Sequence, residues 1–238
     1  MITRTVETSP LLRARVAGFL YLSLLPFDVF GSLYVPSILI VPGDAAATAR
    51  NIMASESLFR FGIVSALIGQ IVVILVGLAL YQLLKPVNKT MAVLMVILNL
   101  VATPIAMLNE LNHLAILLLL HDPYHLTADQ LHAQVSLFLN LHANGLDIVG
   151  LFWGLWLFPM GYLVFKSGFL PRFLGVLLII GCVGYLIQSF TAFLLPNLEG
   201  NIAWLAVLTS WGELLLSLWL VIKGVNVEQW KKRARESA

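Results

Sequence analysis

Six apolar runs dominate the sequence, and each is about as long as a helix that crosses a lipid bilayer, which needs about 20 mostly apolar residues. The runs lack the two-residue alternation of barrel strands and exceed the length of such strands. They therefore predict one domain over residues 1–238, an all-α polytopic membrane protein built as a six-transmembrane-helix bundle. The predicted spans cover residues 16–33, 58–84, 91–120, 135–165, 173–195 and 202–222.

The composition is typical of a chain that lies in lipid. Hydrophobic residues make up 60% of the 238 residues and charged residues 11%, against roughly 45–50% and about 25% in soluble domains. The formal net charge is only +2, and no basic stripe of the kind that binds nucleic acid lies between the two ends. These values exclude a soluble domain, a disordered tail and a nucleic-acid-binding domain, and they make the lipid bilayer the expected partner.

The basic residues predict the orientation of the bundle, because Lys and Arg concentrate on the cytoplasmic side of membrane proteins. All 14 of them except Arg50 and Arg60 lie in the N-terminal segment, in the links after the second and fourth runs, or in the C-terminal tail. This pattern fits six spans with both termini in the cytoplasm and predicts a cell inner-membrane protein. The residues on the predicted cytoplasmic side are Arg4, Arg13, Arg15, Lys85, Lys89, Lys166, Arg172, Lys223, Lys231, Lys232, Arg233 and Arg235.

The link between the first two runs predicts a short helix on the outer surface of the membrane. Pro42 and Gly43 favour a turn, and Asp44 is a good N-cap for the alanines that follow it. We expect a helix from Ala45 to about Ala54.

Three stretches resemble a known family. They are RVAGFLYL from Arg15, VPGDAAATARNI from Val41 and LYQLLKPVN from Leu80. Together they are similar to the bacterial membrane family catalogued as domain of unknown function 4386, and the similarity extends over nearly the whole chain. The resemblance implies a multi-helix bacterial inner-membrane protein. It implies no activity, and no functional residue can be transferred from it.

Four acidic residues lie within the predicted spans, where an ionisable group is costly and is by default a functional candidate. Counting about 1.5 Å per residue from the cytoplasmic basic residues, Glu213 lies near the midplane. Asp28, Glu110 and Asp147 lie farther out, as do most polar Asn, Gln and His side chains. This asymmetry predicts a polar cup between the helices, open to the outside, with Glu213 near its floor.

Helical phase predicts which polar groups share this cup. Asn140, Asn144 and Asp147 fall at i, i+4 and i+7, on one stripe of the fourth span. His142 lies roughly 200° around the helix from Asn140, at about 100° per residue, so we expect it to be a poor partner for Asp147. The other polar stripes are Asn109, Asn112 and His113, flanked by Glu110, on the third span, and Thr209, Glu213 and Ser217 on the sixth.

Three hypotheses for function follow from this polar layer. The cup binds or transports a small solute or cation, or it is the site of an intramembrane metal-dependent enzyme, or the chain is an accessory membrane subunit without a ligand. The metal hypothesis takes His113, Glu110 and Asp147 as ligands, since these residue types suit zinc or another divalent ion. The sequence identifies no cofactor and does not decide whether the protein is an enzyme. The candidate cavity residues are Asp28, Glu110, His113, Asn144, Asp147 and Glu213.

Prolines and small residues predict the shape of the bundle. Pro26, Pro104 and Pro159 are expected to kink the first, third and fourth spans, which would widen the outer cup. Gly150 and Gly154 form a close-packing pair, and the sequence leaves open whether it packs within one chain or between two.

Overall fold

The computed structural model describes residues 9–122, 126–202 and 204–237, and this part of the chain contains helices and no strand. Five of these helices are long and apolar enough to cross a membrane. The prediction of an all-helical membrane bundle is therefore confirmed at this level. The five helices cover Pro10–Leu39, Glu56–Leu84, Lys89–His121, Ala128–Ser167 and Arg172–Leu194.

The first spanning helix is interrupted twice, and a proline lies next to each interruption. Proline donates no backbone hydrogen bond, and its ring crowds the preceding turn. Ser23 forms the first interruption one turn before Pro26, and a π-helical turn precedes Pro36. Such turns are frequent at functional sites, and Asp28 immediately precedes this one. The four segments are α1 (Pro10–Leu22), α2 (Leu24–Asp28), the π turn (Val29–Tyr34) and α3 (Val35–Leu39).

A short helix, α4 (Ala45–Ala54), follows the predicted turn and has the predicted boundaries. Gly43 adopts a left-handed conformation with φ of 78°, which glycine tolerates without steric cost. Asp44 caps the helix, because its Oδ1 accepts a hydrogen bond of 2.8 Å from the backbone N–H of Ala47. The second spanning helix, α5 (Glu56–Leu84), begins directly afterwards.

The third spanning helix is also interrupted. It consists of α6 (Lys89–Asn109) and α7 (Leu111–His121), with Glu110 at the break between them. Pro104 lies within α6 and removes one helical hydrogen bond shortly before the break. The carboxylate of Glu110 is therefore held at a discontinuity within a membrane-spanning segment, about two-thirds of the way along it.

The fourth helix, α8 (Ala128–Ser167), is 40 residues long. Its start is fixed by a capping box, in which the side chains of Thr127 and Gln130 accept hydrogen bonds from each other's backbone. Its end is fixed by Gly168, which has φ of 73°. The predicted span began at residue 135, because the first two turns of α8 are polar and an apolar run does not include them.

Small residues of α8 face the fifth spanning helix, α9 (Arg172–Leu194). A Cβ atom on Gly150 would lie 2.9 Å from Oγ of Ser189, and one on Gly154 would lie 2.7 Å from Cβ of Tyr185. Contacts this short require glycine. The close-packing pair predicted from the sequence therefore mediates packing within the chain.

The C-terminal part contains a helix at the position of the sixth predicted span. This helix runs antiparallel to α1. Gly18 of α1 lies close to Ser217, whereas Tyr21, farther along α1, hydrogen-bonds to Glu213, which comes earlier in the C-terminal helix. The segments are a 3-10 turn (Pro196–Leu198), α10 (Glu199–Ile202), α11 (Trp204–Ile222) and α12 (Val227–Glu236).

The basic segments meet at one end of the bundle, and α12 connects them. The indole N–H of Trp230 donates to the carbonyl of Leu83 at 2.8 Å, and Arg233 donates to the carbonyl of Lys166 at 3.2 Å. The guanidinium of Arg13 lies 5.4 Å from the centre of the Trp230 ring. We call this end of the molecule the basic end.

Two large apolar cores and one smaller apolar cluster, made of Ala102, Ala106 and Val149, fill the bundle. The basic-end core lies nearest these basic segments, and the distal core lies towards α3 and α4. The basic-end core includes Ala17, Val76, Leu80, Leu83, Met95, Leu157, Leu163 and Leu220. The distal core contains Val35, Leu39, Ile52, Phe59, Ile63, Ile116, Leu117 and Val135.

Candidate functional site

Two adjoining cavities lie between the apolar cores. The distal cavity has a volume of about 370 Å³ and borders the distal core, whereas the inner cavity has a volume of about 350 Å³ and borders the basic-end core. Four residues line both cavities, so the two spaces share one wall. These residues are Asp28, Ser32, Gln70 and Trp153.

Three side chains in the wall of the distal cavity form a hydrogen-bonded cluster, which we call the Glu110 triad. Oε2 of Glu110 lies 2.9 Å from Nδ1 of His113, and Oε1 lies 3.1 Å from Nε2 of His142. One ligand atom from each residue lies within 4.8 Å of the others. The three side chains are 10%, 14% and 15% exposed. The triad is therefore shielded from bulk solvent but reaches the cavity.

The triad connects the third and fourth spanning helices. Glu110 lies at the break between α6 and α7, and His113 follows it by three residues on α7. Residues three apart lie on the same face of a helix, so their side chains meet. His142 reaches them from α8, where it lines the distal cavity.

An asparagine beside the triad fixes the backbone that carries His142. Nδ2 of Asn109 donates to the carbonyl of His142 at 2.8 Å, and Oδ1 of Asn109 accepts from Nδ2 of Asn112 at 2.9 Å. This amide occupies space left by Gly145, where a Cβ atom would lie 2.0 Å from Oδ1 of Asn109. The helix pair is therefore clamped directly behind the triad.

Aromatic contacts orient the two imidazole rings. The rings of His113 and His142 stack with 3.6 Å between their centres, and Phe59 meets His113 edge-on at 5.1 Å. Two imidazolium charges at this separation would repel each other. The stacking therefore favours a triad with at least one neutral imidazole, the form that ligates metals.

The inner cavity contains a second carboxylate site. Glu213 on α11 accepts a hydrogen bond from the hydroxyl of Tyr21, and the side chain of Tyr185 is a further hydrogen-bonding neighbour. Asp28 lies in the shared wall. Oε1 of Gln70, in the same wall, is buried and has no hydrogen-bond partner among the residues that the structure describes.

Residues 16–224 match the family model described as Domain of unknown function (DUF4386). The chain belongs to this family. An uncharacterized protein of Archaeoglobus fulgidus is 34% identical over 154 residues, which are 65% of this chain and 78% of that protein. No solved structure matches the chain. The DUF4386 match confirms the resemblance found in the sequence and assigns no activity.

The DUF4386 match includes all six residues predicted to form the cavity, and the structure gathers four of them around the two cavities. Asp28 lines both cavities, Glu110 and His113 line the distal cavity, and Glu213 lines the inner cavity.

The other two predicted residues, Asn144 and Asp147, line neither cavity. Nδ2 of Asn144 donates at 2.7 Å to the carbonyl of Asn140 in its own helix. This bond gives the amide a partner within its own helix. The prediction that Asn140, Asn144 and Asp147 face inward depends on the assumption that such side chains need partners on other helices.

The cluster with metal-ligand geometry contains His142 in place of the predicted Asp147. The face of α8 that lines the distal cavity carries Leu139, His142 and Leu146, which follow each other by three and four residues. The angular positions predicted from the sequence were counted from Asn140, which lies at the edge of this face. The apolar spacing around His142 is the sequence signal that identifies its orientation.

Proposed function

We propose that this DUF4386 protein is an inner-membrane protein that binds a small cation, or a small polar solute with donor groups, in the two adjoining cavities. The observation that carries this proposal is that three carboxylates from three different helices, Asp28, Glu110 and Glu213, line these cavities. Ionisable groups inside a membrane bundle are costly and commonly mark substrate or ion sites.

Six spans and cytoplasmic termini are part of the proposal. The antiparallel packing of α11 against α1 supports a sixth crossing, which returns the chain to the basic end. The basic segments meet at that end through contacts of Trp230 and Arg233. By the positive-inside rule, this concentration of Lys and Arg supports a cytoplasmic position for the basic end. With this orientation the distal cavity faces the outside, and α4 lies on the outer surface.

The apolar packing around the cavities supports a binding protein rather than an open channel. The inner cavity ends at the basic-end core, where Leu80, Leu83 and Leu157 are 0–1% exposed. Among the residues that the structure describes, this packing offers a solute in the cavities no polar path to the basic end. Transport would require the basic-end core to open, whereas binding requires no rearrangement of it.

A metal-dependent enzyme is the second candidate function, and the Glu110 triad is the observation that favours it. Catalytic zinc sites have three protein ligands and an open position for water or substrate. The triad supplies three ligands, two imidazoles and one carboxylate, and it borders a cavity with mainly apolar residues in its wall, including Phe27, Ile63 and Leu139. An apolar or amphipathic substrate of small size fits this space.

Thermal denaturation of the purified full chain in detergent tests the cation proposal. A ligand that binds the folded state raises the melting temperature, so Na⁺, Mg²⁺, Zn²⁺ and methylammonium are used as probes. We expect at least one probe to stabilise the protein and Asp28→Asn to reduce this stabilisation. Asp129→Asn, a change at an exposed acid in the first turn of α8, is the matched control and should have no effect on it.

Two results would contradict the proposal. One is that none of the four probes raises the melting temperature, which is the result expected of an accessory subunit without a ligand. The other is that Asp28→Asn and Asp129→Asn change the stabilisation equally, which would indicate nonspecific screening of surface charge.

A further inference from the structure

We propose that Glu110, His113 and His142 bind one divalent transition-metal ion of the zinc class inside the membrane bundle. This inference rests on the proposed function, because it names the cation that the distal cavity takes.

The donor set of the triad selects the class of metal. Two imidazoles and one carboxylate are a common ligand set for zinc and for non-haem iron. Calcium and magnesium prefer a shell made of oxygen atoms, whereas His113 and His142 offer nitrogen. We therefore expect Zn²⁺ or a similar ion to bind here in preference to Mg²⁺ or Ca²⁺.

The distances between ligand atoms suit one ion. Bonds of about 2.0–2.2 Å around a tetrahedral zinc ion place neighbouring ligand atoms about 3.4 Å apart. Glu110 lies 2.9 Å from His113 and 3.1 Å from His142, and the three ligand atoms lie within 4.8 Å of one another. Side-chain movements of less than about 1 Å at each ligand would complete the geometry.

The surroundings of the triad also suit a metal site. Metal ligands are usually oriented by neighbouring groups. Here Asn109 holds the backbone of His142, and the edge of Phe59 packs against His113. The distal cavity leaves room for a fourth ligand, and the carboxylate of Asp28 in its wall adds negative charge that attracts a divalent ion.

The rival interpretation is that the triad is a hydrogen-bonded cluster without a metal. In that case Glu110 accepts a hydrogen bond from each imidazole, as the two contact distances allow, and its role is to join the third and fourth spans. This interpretation predicts no specific metal binding. A titration with metal therefore separates the two.

The first experiment measures Zn²⁺ binding to the full chain in detergent after treatment with a chelator. We expect one zinc per chain. Since changes next to a metal ligand cost about 10- to 100-fold in affinity, loss of a ligand should cost at least about 100-fold. Glu110→Gln, His113→Gln and His142→Gln should each show this loss. His121→Gln is the matched control, because His121 contacts Glu56 at an exposed site, and it should retain zinc.

The second experiment does not depend on the folding of the glutamine variants. His142→Cys keeps a metal ligand, and it is made in a Cys182→Ala background because Cys182 is the chain's one cysteine. We expect Co²⁺ to produce a thiolate-to-metal charge-transfer absorption in this variant and not in Cys182→Ala alone. Such a band identifies residue 142 as a ligand, which a merely structural residue would not be.

The results distinguish failure of this inference from failure of the proposed function. The metal inference is overturned if wild type binds no stoichiometric zinc, if His121→Gln lowers the affinity as much as the triad variants do, or if cobalt binding gives no charge-transfer band. The broader proposal then stands if another probe shows binding that depends on Asp28. If zinc binds at the triad and no probe shows dependence on Asp28, the metal inference stands and the proposal for the combined cavities fails.

Discussion

Replacement of Gly145 by alanine tests how the bundle holds the triad. Gly145 lies on α8 opposite Asn109, and a Cβ atom at this position would lie 2.0 Å from Oδ1 and 2.5 Å from Cγ of Asn109. Real atoms do not approach this closely, so the amide must move. Asn109 would then lose its hydrogen bonds to the carbonyl of His142 and to Asn112, which measure 2.8 and 2.9 Å.

The expected cost follows from these contacts. Each lost hydrogen bond contributes about 0.5–1.5 kcal/mol, and overpacking adds about 1–3 kcal/mol. The lower backbone entropy of alanine in a helix offsets about 0.5–1 kcal/mol. These terms give a net destabilisation of about 3 kcal/mol, which corresponds to a melting temperature about 6–12 °C lower for a chain of this size. Zinc affinity should fall about 10- to 100-fold, because the backbone of a ligand is released.

Thermal denaturation in one detergent compares Gly145→Ala with Gly69→Ala, whose Cβ atom would make an ordinary contact of 3.5 Å with Phe27. Gly69→Ala should be neutral or slightly stabilising. Asn109→Ala removes the atoms that clash, so the double variant should be no less stable than Asn109→Ala alone. The reasoning is refuted if Gly145→Ala is as stable as Gly69→Ala, or if the effects of Gly145→Ala and Asn109→Ala simply add.

Three further predictions concern the inner cavity, the effect of pH and the topology. Tyr21→Phe removes the hydroxyl that donates to Glu213 and should destabilise the protein by about 1 kcal/mol. Tyr34→Phe, at a half-exposed ring, is the control and should have no such effect. Equal melting temperatures of the two variants would contradict a stabilising role of the Tyr21 hydroxyl. Zinc affinity should fall as the solution is acidified, because protons compete with the metal for the imidazole and carboxylate ligands; an affinity that stays constant on acidification would contradict this ligand set. Single cysteines at Lys89 and Asp129 should react with an impermeant reagent from opposite sides of the membrane, and labelling of both from one side would contradict six spans.

The fold was predictable because it depends on features that span many residues. Apolar runs about as long as the bilayer is thick leave the chain few alternatives to membrane helices. A helix-capping residue was equally informative about a helix boundary, since Asp44 indicates the start of α4. The start of α8 was missed because Thr127 and Gln130 begin it with polar turns. The π turn after Asp28 was missed because hydropathy carries no information on hydrogen-bond register.

Three of the four acids proposed from the sequence line the cavities, whereas Asp147 does not. Asp28, Glu110 and Glu213 are recognisable from the sequence because an ionisable group within an apolar run is costly and often marks a functional site. Helical phase counted from the asparagines of α8 places His142 on another face, since it treats the helix in isolation from its neighbours. Which face of a helix borders a cavity depends on the neighbouring helices, and here the break at Glu110 brings the third span to the His142 face.

X-ray absorption spectroscopy of the zinc-loaded full chain tests whether the Glu110 triad binds the metal, because it reports the atoms that surround the ion. We expect one zinc per chain with two imidazole nitrogens at about 2.0–2.1 Å and oxygen atoms as the remaining ligands. A zinc ion surrounded only by oxygen atoms, or bound through a sulfur atom, would contradict this expectation.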